Sequence, residues 1–263
     1  MLLSIVVLNW NRLKYTKQTI ENLLAKTTLP HEFIFVDNNS AQEGLREYLL
    51  SVSGNKYTQD IKYAFANRNL GGGGGRNFGN SKSCGDFIIN LDDDFIVQDY
   101  YDQMMVEVCE KVPRLGQTGV NVEPVEYPIR VLNGVSCRPK VGNLGEACTC
   151  MSRKIFNTLG YFNYFNIYGH EGSAFYHRLA YLGLISAYIV PRGIHLDKDE
   201  DKEYRRQKTA AHTAGSVQLK ELDKYLNHMH RTKNAYVSWT ENYTCVDQNI
   251  FTNDLILKDR SNG

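Results

Sequence analysis

The chain has 263 residues, 42% hydrophobic and 22% charged, with thirty basic against twenty-nine acidic side chains for a net charge of +1. These proportions are those of a globular protein with room for one large α/β core, and the charge balance excludes a global field that would draw nucleic acid or an acidic membrane. The N-terminal apolar run in "MLLSIVVLNWNR" is too short for a membrane span and lacks a basic leader and a small-residue cleavage site. Peripheral membrane contact is the only kind it leaves open, and a cytoplasmic setting is expected. The six cysteines are scattered, and only Cys148 and Cys150 lie close, as C-x-C without a second pair, which reads as reduced thiols rather than a zinc site.

In chain order, "SIVVL" (4–8) is a β-branched run passing into the polar "NWNR", the pattern of a buried strand that opens into a loop. The segment "YTKQTIENLLAKT" places Ile20, Leu23, Leu24 and Thr27 on one helical face. A second strand, "EFIFVD" (32–37), stops at the turn-forming "DNNS"; "GLREYLL" suits a short helix and "IKYAFA" (61–66) a third strand. Five glycines at 71–75 then read as a loop preceding a helix over "NFGNSKSC", and "DFIINL" (86–91) as a fourth strand that runs straight into three aspartates. Beyond residue 97 the pattern loosens: 115–147 holds Gly, Pro and short β-like runs. A helix, Gly183 and a strand ending at Pro191 follow in "FYHRLAYLGLISAYIVP". The segment 197–206 is highly charged, and 216–231 is an amphipathic helix.

Strands alternating with helices at this spacing predict a doubly wound, mainly parallel sheet flanked by helices. Residues 1–210 are read as one domain in two halves (1–97 and 98–210), followed by a helical C-terminal extension (211–263). Ligands in such sheets bind beyond the carboxyl ends of the strands. Asn9–Arg12, Asp37–Ser40, Asn67–Arg76 and Asp92–Asp94 all fall at that edge.

In an extended segment, side chains two apart point the same way, so Asp92 and Asp94 are expected to share one site and Asp93 to face away. Two converging carboxylates are costly unless a cation neutralises them, and oxygen ligands suit Mg²⁺ or Mn²⁺. A solvated loop with capping aspartates is the alternative. The glycines match neither G-x-G-x-x-G nor a complete Walker A motif, since Asn80 stands where the phosphate-binding lysine is required. A backbone able to approach a phosphate, with Arg76 and a helix N-terminus behind it, is what remains.

Together, "SIVVLNWNR", "FIFVDNNS", "NRNLGGGGGRNFG" and "DFIINLDDDF" resemble, in order and spacing, the glycosyltransferases of GT-A fold, especially the large family 2. The resemblance implies a Rossmann-like GT-A domain and a nucleotide-sugar donor, with 1–97 as the nucleotide-sugar-binding half and 98–210 as the acceptor and catalytic half. It assigns Asp37 and Asn38 to the base-recognition turn, with Asn38 where many members carry a second aspartate. Arg76 becomes the basic residue near the donor and Asp92–Asp94 the D-x-D metal motif, with Asn9, Asn11, Asn67 and Asp93 completing the donor site. The stretch from "GEACTC" to "AYLG" (145–183) resembles the family more loosely, with His170-Glu171 where Glu-Asp is usual. Glu171 thereby takes the general base's place. Phe175, Leu179 and Leu182 continue one helical face, and Glu171 lies one turn before Phe175, in a first turn where the helix dipole favours a carboxylate.

His195, after the apolar "AYIV" and "PRGI", stands where some GT-A enzymes place a third metal ligand beside Asp92 and Asp94. The aromatic run 161–168 either stacks on an acceptor sugar or packs on the sheet, and 197–206 is a candidate lid. The expectation is a Mn²⁺- or Mg²⁺-dependent inverting glycosyltransferase, UDP-sugar-using, acting on a saccharide or glycoconjugate acceptor in polysaccharide biosynthesis. A sugar-phosphate nucleotidyltransferase and a non-catalytic nucleotide-sugar- or glycan-binding module stay open as alternatives.

Overall fold

A computed structural model describes residues 1–140, 143–160, 162 and 171–197, with isolated positions between 202 and 209. The amphipathic 216–231 segment, the extension 211–263, the aromatic run apart from Phe162, and most of the charged 197–206 stretch lie outside the described residues.

The first half alternates strand and helix as the apolar runs predict. It contains β1 (Leu3–Asn9), α1 (Leu13–Lys26), β2 (His31–Asp37), α2 (Leu45–Ser51), β3 (Thr58–Phe65), α3 (Gly71–Asn80) and β4 (Phe87–Asp92). The second half contributes β5 (Phe95–Ile96), α4 (Tyr101–Lys111), β6 (Leu115–Asn121), β7 (Arg130–Leu132), β8 (Val135–Lys140) and β9 (Cys148–Ser152). It continues through α5 (Arg153–Leu159), α6 (Glu171–Tyr181), β10 (Ile185–Arg192) and β11 (Ile194–His195).

Nine of these strands form one sheet in the order β3-β2-β1-β4-β9-β6-β10-β8-β7. Parallel pairing joins β1 to β2 and β4, β2 to β3, and β6 to β10. Strand β9 runs antiparallel between β4 and β6, so both neighbours end at the same edge as β1 and β2. The order reverses at β1, and Asn9 pairs with Asp37 while Leu8 pairs with Asp92. The polar clusters therefore meet at a topological switch point, where open α/β sheets bind ligands.

Both faces of the sheet are covered. Leu3, Ile5, Val7, Phe33, Phe35, Ile89 and Leu91 pack with Ile20, Leu23, Leu45, Tyr101 and Met105 on one side. The alternate residues Val6, Ile34, Val36 and Ile88 pack with Phe78, Phe156, Phe162, Phe175 and Leu179 on the other. Strands buried on both faces carry apolar residues without interruption, which is why the runs are continuous rather than alternating.

The glycines differ from expectation: they are not a loop before a helix but the first turn and more of α3 itself, opening at Gly71 with φ +73°. Each helical glycine costs about 1 kcal/mol relative to alanine. Packing explains the choice. A Cβ on Gly75 would lie 2.4 Å from Leu8 Cδ1, and one on Gly79 would lie 2.3 Å from Val6 Cγ1 and 2.8 Å from Val36 Cγ2. The helix thus lies on β1 and β2 closer than any side chain permits. Gly79→Ala is expected to lower stability by about 1–3 kcal/mol, the usual cost of overpacking, although alanine is the better helix former. A lower urea midpoint at unchanged slope is the expected reading.

Candidate active site

The acidic corner is built where β4 ends. Residues 93 and 94 form a turn before β5, so the chain is no longer extended there and the alternation expected of the three aspartates does not apply. Asp93 and Asp94, both buried, converge on one guanidinium: Arg12 donates from Nη2 to Asp93 Oδ1 and from Nη1 to Asp94 Oδ2 at 2.6 Å. The same Nη1 reaches Asp197 Oδ2 at 3.0 Å. Asp92 goes elsewhere, with its Oδ1 2.5 Å from Arg76 Nη2 and its side chain 27% exposed.

Helix α1 holds the turn in place. Thr16 Oγ1 donates to Asp93 Oδ2 at 3.3 Å, Thr19 Oγ1 donates to the Asp93 carbonyl at 2.9 Å, and Phe95 N–H donates to Thr19 Oγ1 at 3.0 Å. Trp10 N–H adds a bond to Asp93 Oδ2 at 3.1 Å. Burial pushes the Asp93 carboxyl up to about 7; Arg12 pulls it down, and Asp94 and Asp92 add to the rise.

His195 arrives from far along the chain. Strand β11 pairs antiparallel with β5, setting His195 opposite Phe95, and Leu196 N–H donates to the Asp94 carbonyl at 2.7 Å. His195 Nε2 then stands 3.3 Å from Asp94 Oδ2. Of the expected metal set the fold brings Asp94 and His195 together, while Asp92 is turned to Arg76. Among the described residues no group of three His, Cys, Asp or Glu side chains converges in a metal-holding arrangement.

Asp94 Oδ1 is buried and has no hydrogen-bond partner among the described residues. Asp93, Asp94 and Asp197 all face the Arg12 guanidinium here. A buried anion with an orphaned oxygen is costly, and a cation is what would relieve it. The donor chemistry, a carboxylate oxygen beside an imidazole, suits Mn²⁺. With one carboxylate and one imidazole from the protein, phosphate oxygens and water would complete the shell.

The remaining edge residues serve the loops. Asn9 Nδ2 donates to the Val7 and Val36 carbonyls at 2.9 and 3.0 Å, tying β1 to β2. Asn11, with φ +56°, accepts Ala41 N–H and Gln42 N–H on its Oδ1 at 2.7 and 3.2 Å. Asp37 accepts Ser40 N–H at 2.9 Å and pairs with Arg46 at 3.0 Å. Asn38 is fully engaged: its Oδ1 accepts Leu70 N–H at 2.8 Å, and its Nδ2 donates to Asn69 Oδ1 and the Gly71 carbonyl at 3.0 and 3.1 Å. This amide shapes the entry to α3, so its expected role in reading a base would require those bonds to be exchanged. Asn67 is exposed at the same edge.

Arg76 is buried, and its Nη2 also donates to the Glu146 carbonyl at 3.2 Å. Glu171 is the first residue of α6, as its place before Phe175 and Leu179 predicts; its side chain and all of His170 lie outside the described residues. Sequence reasoning missed Thr16, Thr19 and Glu146 and gave Arg12 no role beyond the edge cluster. Two threonines three apart on a helix's buried face were the available signal for α1.

Fold and site together are those of the GT-A type: a doubly wound sheet whose switch point carries an acidic corner beside a glycine-opened helix. The profile of glycosyl transferase family 2 matches residues 4–159, and the chain belongs to that family. An uncharacterized glycosyltransferase of Haemophilus influenzae is 29% identical over 129 residues, 49% of this chain and 39% of that protein. The mannosyltransferase PcManGT of Pyrobaculum calidifontis, solved with GDP-Man and Mn²⁺, superposes with a TM-score of 0.59 at 14% identity, covering 82% of this chain and 64% of that one. TarS of S. aureus with UDP-GlcNAc gives 0.55 at 17% identity, over 72% of this chain and 56% of that one. GalNAc-T7 with UDP, GalNAc and Mn²⁺ gives 0.59 at 16%, over 73% and 43%. The chain thus spans less than two thirds of each of these relatives, and the likeness to the solved structures is one of fold.

Proposed function

We propose that the protein transfers a sugar from a nucleoside-diphosphate donor, UDP-linked in the first instance, to an acceptor hydroxyl with inversion and with the help of Mn²⁺ or Mg²⁺. The observation that carries this reading is Asp94: a buried carboxylate beside His195 with one oxygen unpartnered among the described residues. Asp94 and His195 would hold the cation, which when bound supplies a Lewis acid that offsets charge on the departing diphosphate. PcManGT and GalNAc-T7, solved with Mn²⁺, share the fold, which supports the metal requirement.

In this mechanism the acceptor oxygen attacks the anomeric carbon while the bond from that carbon to the β-phosphate oxygen breaks. Glu171, at the N-terminal end of α6, takes the hydroxyl proton, and the helix dipole keeps its carboxylate ionised for the purpose. Arg76 holds Asp92 at the rim, where its partial exposure lets it meet the ribose or diphosphate. Arg12 ties Asp94 and Asp197 into one ion-paired cluster. One carboxylate suffices because a nucleoside diphosphate leaves readily, unlike the alcohol expelled by a glycosidase. Among the described residues no helix is long and apolar enough to cross a membrane, and the acceptor is a saccharide or glycoconjugate in this reading.

Calorimetry against UDP, GDP and dTDP with and without Mn²⁺ tests the proposal. One diphosphate should bind at least tenfold more tightly with the metal. Equal affinity with and without it for every nucleotide would remove the metal-held donor. Pyrophosphate release from a sugar phosphate and a nucleoside triphosphate would instead favour the nucleotidyltransferase.

A further inference from the structure

We infer that Asn77 is a positioning residue that sets helix α6 in register with the donor corner; this rests on the proposed reading in which α6 carries the base. Asn77 lies within α3, only 3% exposed. A buried amide is costly unless both its ends are paired, and here both find one partner. Nδ2 donates to the Phe162 carbonyl at 2.7 Å, and Oδ1 accepts the Phe162 N–H at 2.9 Å. Two antiparallel bonds to one residue fix its rotation as well as its position, as a neighbouring strand would. The grip spans 85 positions of chain.

What is gripped matters for the site. The Phe162 ring is fully buried and stands 4.8 Å from Phe175, four residues after Glu171 on the same face of α6. On the other side of the Gly160 turn, Arg178 Nη1 donates to the Leu159 carbonyl at 2.5 Å. Helix α6 is thus anchored on both sides of one turn, and Asn77 determines where that turn sits.

Arg76, next in sequence, grips the other two parties, Asp92 at 2.5 Å and the Glu146 carbonyl at 3.2 Å. The Glu146 side chain abuts the start of α6: a Cβ on Gly172 would lie 2.6 Å from its Oε1. Two consecutive residues of α3 therefore lead to Asp92, next to the acidic corner, and to Phe162 and Glu146, which both abut α6. The glycine face of α3, pressed onto β1 and β2, gives that pair a fixed base.

A group that only stabilised the fold would affect donor binding, turnover and melting together. A positioning residue separates them, because a displacement of about 1 Å between base and donor costs on the order of 100-fold in rate while leaving the donor site intact. The test uses the full chain with Asn77→Asp, which keeps the acceptor for Phe162 N–H and loses the donor to its carbonyl, and with the milder Phe175→Leu should the first fail to fold. Turnover of the donor, Mn²⁺-dependent affinity for UDP and GDP, and amide exchange at Phe162 and along α6 are measured for each.

Asn77→Asp should lower turnover 10- to 100-fold with nucleotide affinity within threefold, and speed exchange at Phe162 and in the first turn of α6 at least tenfold. Phe175→Leu should show the same signature at 3- to 10-fold. Turnover within twofold of the parent, nucleotide affinity falling in step with turnover, or unchanged exchange in α6 would each overturn the inference. Glu171→Gln, assayed alongside, separates the two readings. Normal turnover there removes the base and leaves the seating of α6 to be judged by exchange, which needs no activity.

Discussion

Asp94→Asn is expected to weaken Mn²⁺ binding by more than about tenfold and to reduce transfer by about 10²–10³-fold, the range seen when one element of transition-state charge stabilisation is lost. An amide keeps the shape and can still accept a bond from Arg12, so the corner should remain folded. It removes the negative charge of an oxygen that is buried without a partner and can turn its NH₂ towards the place where a cation would sit. The parent should lose activity in EDTA and the variant should have little to lose. Normal transfer by the variant in EDTA would refute the metal role. His195, 3.3 Å from Asp94, gives a graded control, because the imidazole shares the site but carries no formal charge when ligating.

The second large effect is expected at Glu171. Glu171→Gln preserves size and helix position while abolishing proton acceptance, so turnover should fall by about 10²–10⁴-fold with donor affinity nearly unchanged. Slow release of nucleoside diphosphate into water should persist, since it needs the donor site but not the acceptor's proton. Equal turnover in parent and variant, read as nucleoside diphosphate released in the presence of acceptor, would take the base away from Glu171. Loss of donor binding in the variant would mean that the residue shapes the donor site instead.

The two substituted residues lie on different halves of the chain. The acidic corner follows β4, whereas α6 comes after β9, the strand that runs antiparallel between β4 and β6. Strand β9, antiparallel to β4, brings Glu146 to the strand ends, and Arg76 reaches across to its carbonyl.

Much of this was legible in the residues alone. The short apolar runs within 4–8, 32–37 and 87–91 lie in strands buried on both faces, and their length and turn-forming ends are what mark such strands in a covered sheet. Because parallel strands deliver their carboxyl ends to one edge, placing Asn9, Asp37 and Asp92 together followed from the alternation of strand and helix. Glu171 at a helix start followed from the spacing of Phe175 and Leu179. These are local patterns, and the chain's own periodicity determines them.

The rest depended on contacts that periodicity does not encode. A run of glycines reads as a loop because glycine disfavours helix, yet the room left by Val6, Val36 and Leu8 admits only glycine, and burial outweighs the propensity. The aspartates read as an alternating strand, but a turn at 93–94 rotates Asp94 onto Arg12, and extended geometry ends where that turn begins. Arg12 and Asp197 stand 185 positions apart, and only the pairing of β11 with β5 brings them to one ion pair. Sequence determined which elements exist and which edge they share; tertiary packing decided which side chains meet there, because side-chain direction at strand ends is set by turns and long-range pairings rather than by the pattern along the chain.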